Sequence, residues 1–147
     1  MPVLYKLYKL VRTFKDGRTD KANNHWFARS VSVGDMSTDE LAKQISYSTT
    51  VTPSDCAAVL KALGPVMNQA FNSSRVVVLD GVGRFSVGLK TTGAESAAEF
   101  NVAKNIKGIY LNYQPEYKID SSSRKRVVAL LEDLRVQETP LNLVTKD

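Results

Sequence analysis

Val3, Tyr5 and Leu7 alternate with Leu4, Lys6 and Tyr8, a period of two that predicts a strand over the first dozen residues. Residues 15–24 are polar and turn-rich and read as a loop. His25-Trp26-Phe27-Ala28-Arg29-Ser30-Val31-Ser32-Val33 reads as a second strand, pairing with the first as a hairpin. The period then changes. Ser37-Thr38-Asp39-Glu40 is a capping box, in which Ser37 takes an orphan helix amide while Glu40 reaches back. Leu41 and Ile45 follow one turn apart, giving a helix to about Ser48. Thr52-Pro53 starts a second helix, with Val59, Leu60, Leu63, Val66, Met67, Ala70 and Phe71 at helical spacing. Gly64-Pro65 lies inside it, and proline removes a backbone donor, so a kink or break is expected near residue 64.

Alternation returns at 75–90, "RVVVLDGVGRFSVGLK", as two strand runs hinged at Asp80-Gly81-Val82-Gly83. Asp-Gly supplies the positive φ a tight turn demands, and Gly83 can relieve a bulge. Residues 91–104 are small and polar, with Phe100 and Val102 as the anchors. Ile106, Ile109, Leu111 and Tyr113 support a further strand ended by Pro115. Ser121-Ser122-Ser123 is expected to cap a last helix whose stripe is Val127, Leu130, Leu131 and Leu134. The pattern divides the chain into an N-terminal strand extension (1–35), a main domain (36–136) and an irregular tail (137–147).

With 147 residues and 43% apolar content, the chain fits one domain with a modest core and appendages. No apolar run reaches the roughly 18 residues a membrane helix needs, and no secretory signal pattern opens the chain. A single cysteine allows no internal disulfide, and a cytoplasmic location is expected. The net charge is +5, and its distribution is uneven. Residues 1–29 hold seven Lys/Arg against two acids, and residues 75–126 hold nine against five. Residues 30–74 and 127–147 are each two charges to the acidic side. Two basic segments that meet in space would make one polarised surface.

Catalytic chemistry finds little support. One histidine and one cysteine supply no metal-ligand spacing, so no metal or cofactor is expected. His25, beside Trp26 and Phe27, reads as a structural imidazole, and Cys56 in the first turn of a helix as a small buried side chain. Neighbouring acids such as Asp39-Glu40 and Glu132-Asp133 point apart on a helix and make no working pair. Gly81-Val82-Gly83 lacks both the third glycine and the following helix of a dinucleotide site, and no Gly-Lys-Ser/Thr closes a P-loop. The second helix carries Asp55 and only Lys61 as a base, too little for a major-groove reader, so it belongs to a core or interface. No enzyme activity and no small-molecule substrate is expected.

What remains is a basic sheet. Arg84, Lys90, Lys104, Lys107 and Lys118 punctuate the strands, and Arg124-Lys125-Arg126 would open the last helix against its dipole. Phosphate binding needs little beyond positive charge held at the right pitch. On charge alone these eight residues fit either an anionic partner or a solvated lysine-rich surface; with the resemblance given next, they are the candidate DNA contacts.

The order of elements, with "VVVLDGVGRFSVGLK" between a helical pair and a strand ending "IYLNYQP", resembles the bacterial histone-like HU and integration host factor family. Gly81, Gly83 and Phe85 fit that family's Gly-x-Gly-x-Phe turn, and Tyr113-Gln114-Pro115 its aromatic-x-Pro strand end. The match covers roughly residues 36–135, and the strands before residue 35 resemble the longer HU-related proteins of Bacteroidetes-type bacteria. The resemblance implies an α+β, HU/IHF-like fold: a helical pair, a three-stranded antiparallel sheet with an arm, and a C-terminal helix, here with an N-terminal β-hairpin extension. It further implies an intertwined homodimer on double-stranded DNA, with arms that carry a proline wedge into the minor groove. Residues 91–100 contain no proline and two acids, so kinking by intercalation is not expected. The expectation is a sequence-nonspecific, nucleoid-associated DNA-binding protein. The alternative is an HU-fold protein-interaction or scaffolding module that has lost DNA binding.

Overall fold

The computed structural model describes residues 2–10 and 25–140, with Leu10 as backbone only. The expected loop at 15–24 and the last seven residues lie outside the described residues. The chain is a mixed α+β protein in two compact units, one of Met1–Asp35 with Asp133–Asp147 and one of Met36–Glu132.

In the first unit, β1 (Val3–Leu10) pairs antiparallel with β2 (His25–Ser30), the hairpin expected from alternation. A third strand was not expected. Val136–Glu138 (β8 in chain order) runs parallel to β1, pairing Val3 with Val136 and Tyr5 with Glu138, so the segment expected to trail off begins in a sheet. The Val3 and Thr139 amides extend that ladder to the Arg135 and Tyr5 carbonyls, at 2.7 and 2.8 Å. His25, read as a structural imidazole, is exposed at the start of β2, so no core holds its ring.

The second unit opens with α1 (Thr38–Tyr47) and α2 (Pro53–Asn72). Both start signals form: the Ser37 amide donates to Glu40 at 2.8 Å, the Glu40 amide donates to Ser37 Oγ at 3.2 Å, and Thr52 caps α2 with Pro53 in its first turn. The helix is not broken at Gly64-Pro65. Residues 61–66 are all exposed, so water can take the carbonyl that the missing proline N–H leaves unpaired. Ala42 and Cys56 are the buried hydrophobic residues of the described chain. Val59, Leu63 and Val66, spaced as one face of α2, are 68%, 36% and 60% exposed.

Next comes the antiparallel sheet β3-β4-β5, of Val77–Leu79, Gly83–Thr91 and Ile106–Pro115. Gly81 and Gly83 take the positive φ expected of the turn, at 78° and 147°. A Cβ on Gly83 would collide with the Gln114 carbonyl and lie 2.9 Å from the Tyr113 ring, so only glycine lets β5 approach there. Between β4 and β5 no extended arm forms. Residues 92–101 are a loop closed by the short helix α3 (Val102–Asn105). Buried Asn105 ties its base, donating to the Thr92 and Gly93 carbonyls at 3.1 Å each and accepting the Asn101 amide at 2.8 Å.

The expected C-terminal helix is absent. Tyr117–Ile119 (β6) and Arg126–Val128 (β7) form a two-stranded hairpin instead, followed by a single 3-10 turn at Ala129–Leu131. The serines that read as a helix cap serve a turn. Asp120 accepts the Ser122 amide and hydroxyl at 3.0 and 2.9 Å and the Ser123 hydroxyl at 2.5 Å, while Arg124 sits at φ +54°. β-Branched Val127 and Val128 then enter the strand opposite Lys118 and Tyr117.

Candidate nucleic-acid interface

Strand alternation sorts β4 and β5 into two unlike faces. The register pairs Phe85 with Tyr113, Val87 with Leu111 and Leu89 with Ile109, so one face is apolar. The opposite face pairs Arg84 with Gln114, Ser86 with Asn112, Gly88 with Tyr110 and Lys90 with Gly108. Neither strand contains an acid. The polar face therefore carries guanidinium, ammonium, amide and hydroxyl groups with no opposing carboxylate of its own. The Tyr110 ring lies across Gly88, where a Cβ would be 2.5 Å from its ring carbon.

The Asp80–Gly83 turn is closed on itself. Gly81 donates its N–H to Glu116 Oε2 at 2.7 Å, and the Val82 carbonyl accepts the Tyr113 hydroxyl at 2.8 Å and the Glu116 amide at 3.2 Å. An internal carboxylate thus occupies the amide that a phosphate-cradling loop would offer to a ligand.

The candidate residues fall into three groups. Arg84 and Arg126 come together, lining a groove of about 640 Å³ with Gln114, Pro115, Glu116 and Tyr117. The Arg126 guanidinium lies 4.6 Å from the centre of the Tyr117 ring, a cation–π contact that fixes its direction. Lys90 and Lys107 are exposed on β4 and β5 at the register shift, where Lys90 pairs with Gly108, Thr91 with Ile106, and Lys107 is the residue skipped between them. The others stand differently. Lys118 Nζ donates to Glu132 at 2.9 Å, and that bond holds its ammonium above the usual lysine range. Lys104 shares a separate cleft of about 590 Å³ with Glu95 and Glu99. Arg124 and Lys125 sit in the turn between β6 and β7, not at a helix start, so no opposed helix dipole bears on them. Asp120 beside them is held down at about 2, first by the Ser123 hydroxyl and then by the Ser122 amide and hydroxyl.

The sequence reading missed Ser86, Asn112 and Gln114 as partners of Arg84 and Lys90. Period-two counting across β4 and β5 carries that signal. Tyr117 as a rest for Arg126 carries none, because the contact depends on the β6–β7 pairing.

No helix among the described residues is long and apolar enough to cross a membrane, and no group of three or more His, Cys, Asp or Glu among them could hold a metal ion. A comparison with curated proteins finds no match. Among solved structures, the chain is similar to one from Bacteroides vulgatus ATCC 8482, described as a candidate bacterial DNA-binding protein. The TM-score is 0.55 at 12% identity, over 92% of this chain and 48% of the other. The chain therefore spans about half the length of that solved relative, and the likeness is one of fold. Residues 1–129 match the family model of HU domains fused to a winged helix-turn-helix, an Ig or a glycine-rich motif, and the chain belongs to this HU-HIG family.

Proposed function

We propose that this protein binds double-stranded DNA through the phosphate backbone, without sequence preference, as a histone-like homodimer in the bacterial nucleoid. The observation that carries the reading is the acid-free polar face of β4 and β5, on which Arg84 and Lys90 stand among hydrogen-bond donors. Cations and amides at fixed pitch suit a phosphate backbone and read no base sequence. Arg126 extends this surface along the groove that it shares with Arg84. Lys107, Lys104, Arg124 and Lys125 would add charge at its margins, and Lys118 would do so once released from Glu132. The roles are binding and positioning, with no reaction, cofactor or small-molecule substrate.

The homodimer part rests on uncovered apolar surface. Val59, Leu63 and Val66 on α2, and Val87, Leu89, Ile109 and Leu111 on the sheet, are too exposed to stabilise a lone chain. A second copy would cover them. Residues 91–100, between β4 and β5, hold no proline to wedge between bases, so binding should leave the duplex without sharp kinks.

Fluorescence anisotropy on random duplex DNA at two salt concentrations tests the proposal. Wild type should lose affinity steeply with salt. Arg84→Glu/Lys90→Glu should bind weakly, with a slope shallower by about 0.9 for each phosphate left unneutralised. A wild-type slope near zero, or no binding at low salt, would favour the second reading, a protein-interaction module. Glu95 and Glu99 facing Lys104 are the feature on its side.

A further inference from the structure

The N-terminal sheet carries a second surface of a different character. The register puts Lys6 opposite Arg29 and Tyr8 opposite Phe27 on one face of β1 and β2. The two rings lie 6.0 Å apart, inclined by 33°, and remain 40% and 43% exposed. Lys6 and Arg29 are exposed beside them, and His25 is exposed on the same face. Neither strand contains an acid. Like charges directly opposite each other across a strand pair destabilise it, and among the described residues neither Lys6 nor Arg29 forms an ion pair. The paired-cation row therefore opposes the stability of the small sheet that holds it, while the ring pair beside it supports the sheet.

We infer that this face is a stacking platform for single-stranded nucleic acid. Extended single strands present unpaired bases and a phosphate chain side by side. Two rings on a sheet receive the bases whatever their sequence, while adjacent cations take the phosphates. A protein partner would have to bring carboxylates to the cations and an apolar pocket to the rings together, whereas every nucleotide of a single strand carries both a phosphate and a base. An anionic membrane would attract the cations, but two rings half covered by the sheet offer little apolar depth to insert. The platform belongs to a different unit from the β4–β5 face and takes a different form of ligand, so it does not depend on the duplex reading.

The test uses the full chain and three probes: labelled oligo(dT), a labelled random duplex, and vesicles containing anionic phospholipid. Oligo(dT) should bind the wild type, and Tyr8→Ala/Phe27→Ala should weaken that binding by about tenfold or more. Phe27→Tyr should retain it. Lys6→Gln/Arg29→Gln removes no ring, so it reports even if the double alanine variant fails to fold; it should weaken oligo(dT) binding and flatten its salt dependence. Duplex binding should stay within about twofold in these variants. Arg84→Glu/Lys90→Glu should lose duplex while keeping oligo(dT). The proposal is overturned if wild type does not bind oligo(dT), if the Lys6/Arg29 variant binds it unchanged, or if vesicles bind and oligo(dT) does not.

Discussion

The carboxylate of Glu116 accepts the backbone N–H of Gly81 at 2.7 Å, joining a turn to the start of β6 across 35 positions. The same residue donates its own amide to Val82 and accepts that of Ala129 at 2.7 Å, so it ties three segments together. Glu116 also lines the groove that holds Arg84 and Arg126. Stability and affinity should therefore separate at this position. Glu116→Ala should cost about 1 kcal/mol in urea unfolding, because it removes a charge-assisted bond. Glu116→Gln keeps an acceptor for Gly81 and removes the negative charge, so it should tighten duplex binding in anisotropy with little change in unfolding midpoint.

Gly83 and Gly88 are both crowded, but by different neighbours. At Gly83 a Cβ meets the Gln114 backbone and φ is +147°, so Gly83→Ala should destabilise by on the order of 2 kcal/mol. At Gly88 the Cβ meets the Tyr110 side chain, which can swing away, so Gly88→Ala should cost about 1 kcal/mol or less. Chemical denaturation of the two variants side by side checks the order. Equal costs would mean that β5 yields as readily as a tyrosine ring.

Asp120 makes the turn between β6 and β7 acid-sensitive. Its folded value of about 2 lies below the ordinary 3.8, so the carboxylate contributes stability that is fully present above about pH 4. That contribution is lost as pH falls from there through 2. Protection of the Ser122 and Ser123 amides, taken relative to the intrinsic exchange rate at each pH, should fall over that window in the wild type. In Asp120→Asn that protection should be low and independent of pH.

Lys118 can report on the DNA surface through its partner. Glu132→Gln removes the ion pair at 2.9 Å and leaves the ammonium available. If Lys118 lies along the DNA path, duplex affinity should rise by a few-fold, with a salt slope steeper by about one phosphate. Unchanged binding would remove Lys118 from the interface.

On α2, Val66→Asp places a charge in the exposed apolar stripe. A homodimer closed over that stripe should lose mass in sedimentation equilibrium, or unfold, at micromolar concentration. A wild-type mass equal to one chain would show that this stripe faces water.

Local chemistry was legible and non-local chemistry was not. The Ser37–Glu40 box and the Thr52 cap act within four residues, and both stand where the sequence places them. Alternation located β1, β2, β4 and β5 because each has a distinct pair of faces. The last helix failed for a physical reason. Val127, Leu130, Leu131 and Leu134 have helical spacing, but Asp120 captures the serines and the Tyr117–Ile119 strand captures Val127 and Val128. The same limit applied to the site. Eight cations could be picked out one by one, but the hold of Glu132 on Lys118, and the resting of Arg126 on Tyr117, arise only once β6 and β7 pair.

The parallel pairing of Val136–Glu138 with Val3–Tyr5 sets an order of events during synthesis. The whole of Met36–Glu132 emerges from the ribosome while the inner edge of β1 still lacks its neighbour, so the helical unit can form long before the N-terminal sheet is finished. Closing that sheet fixes two stretches more than a hundred positions apart, at an entropic cost that a pre-folded insert shortens. Closure of the N-terminal sheet thus waits for residues 136–138, and chains truncated before residue 136 should keep the helices while leaving β1 with a bare edge open to foreign strands.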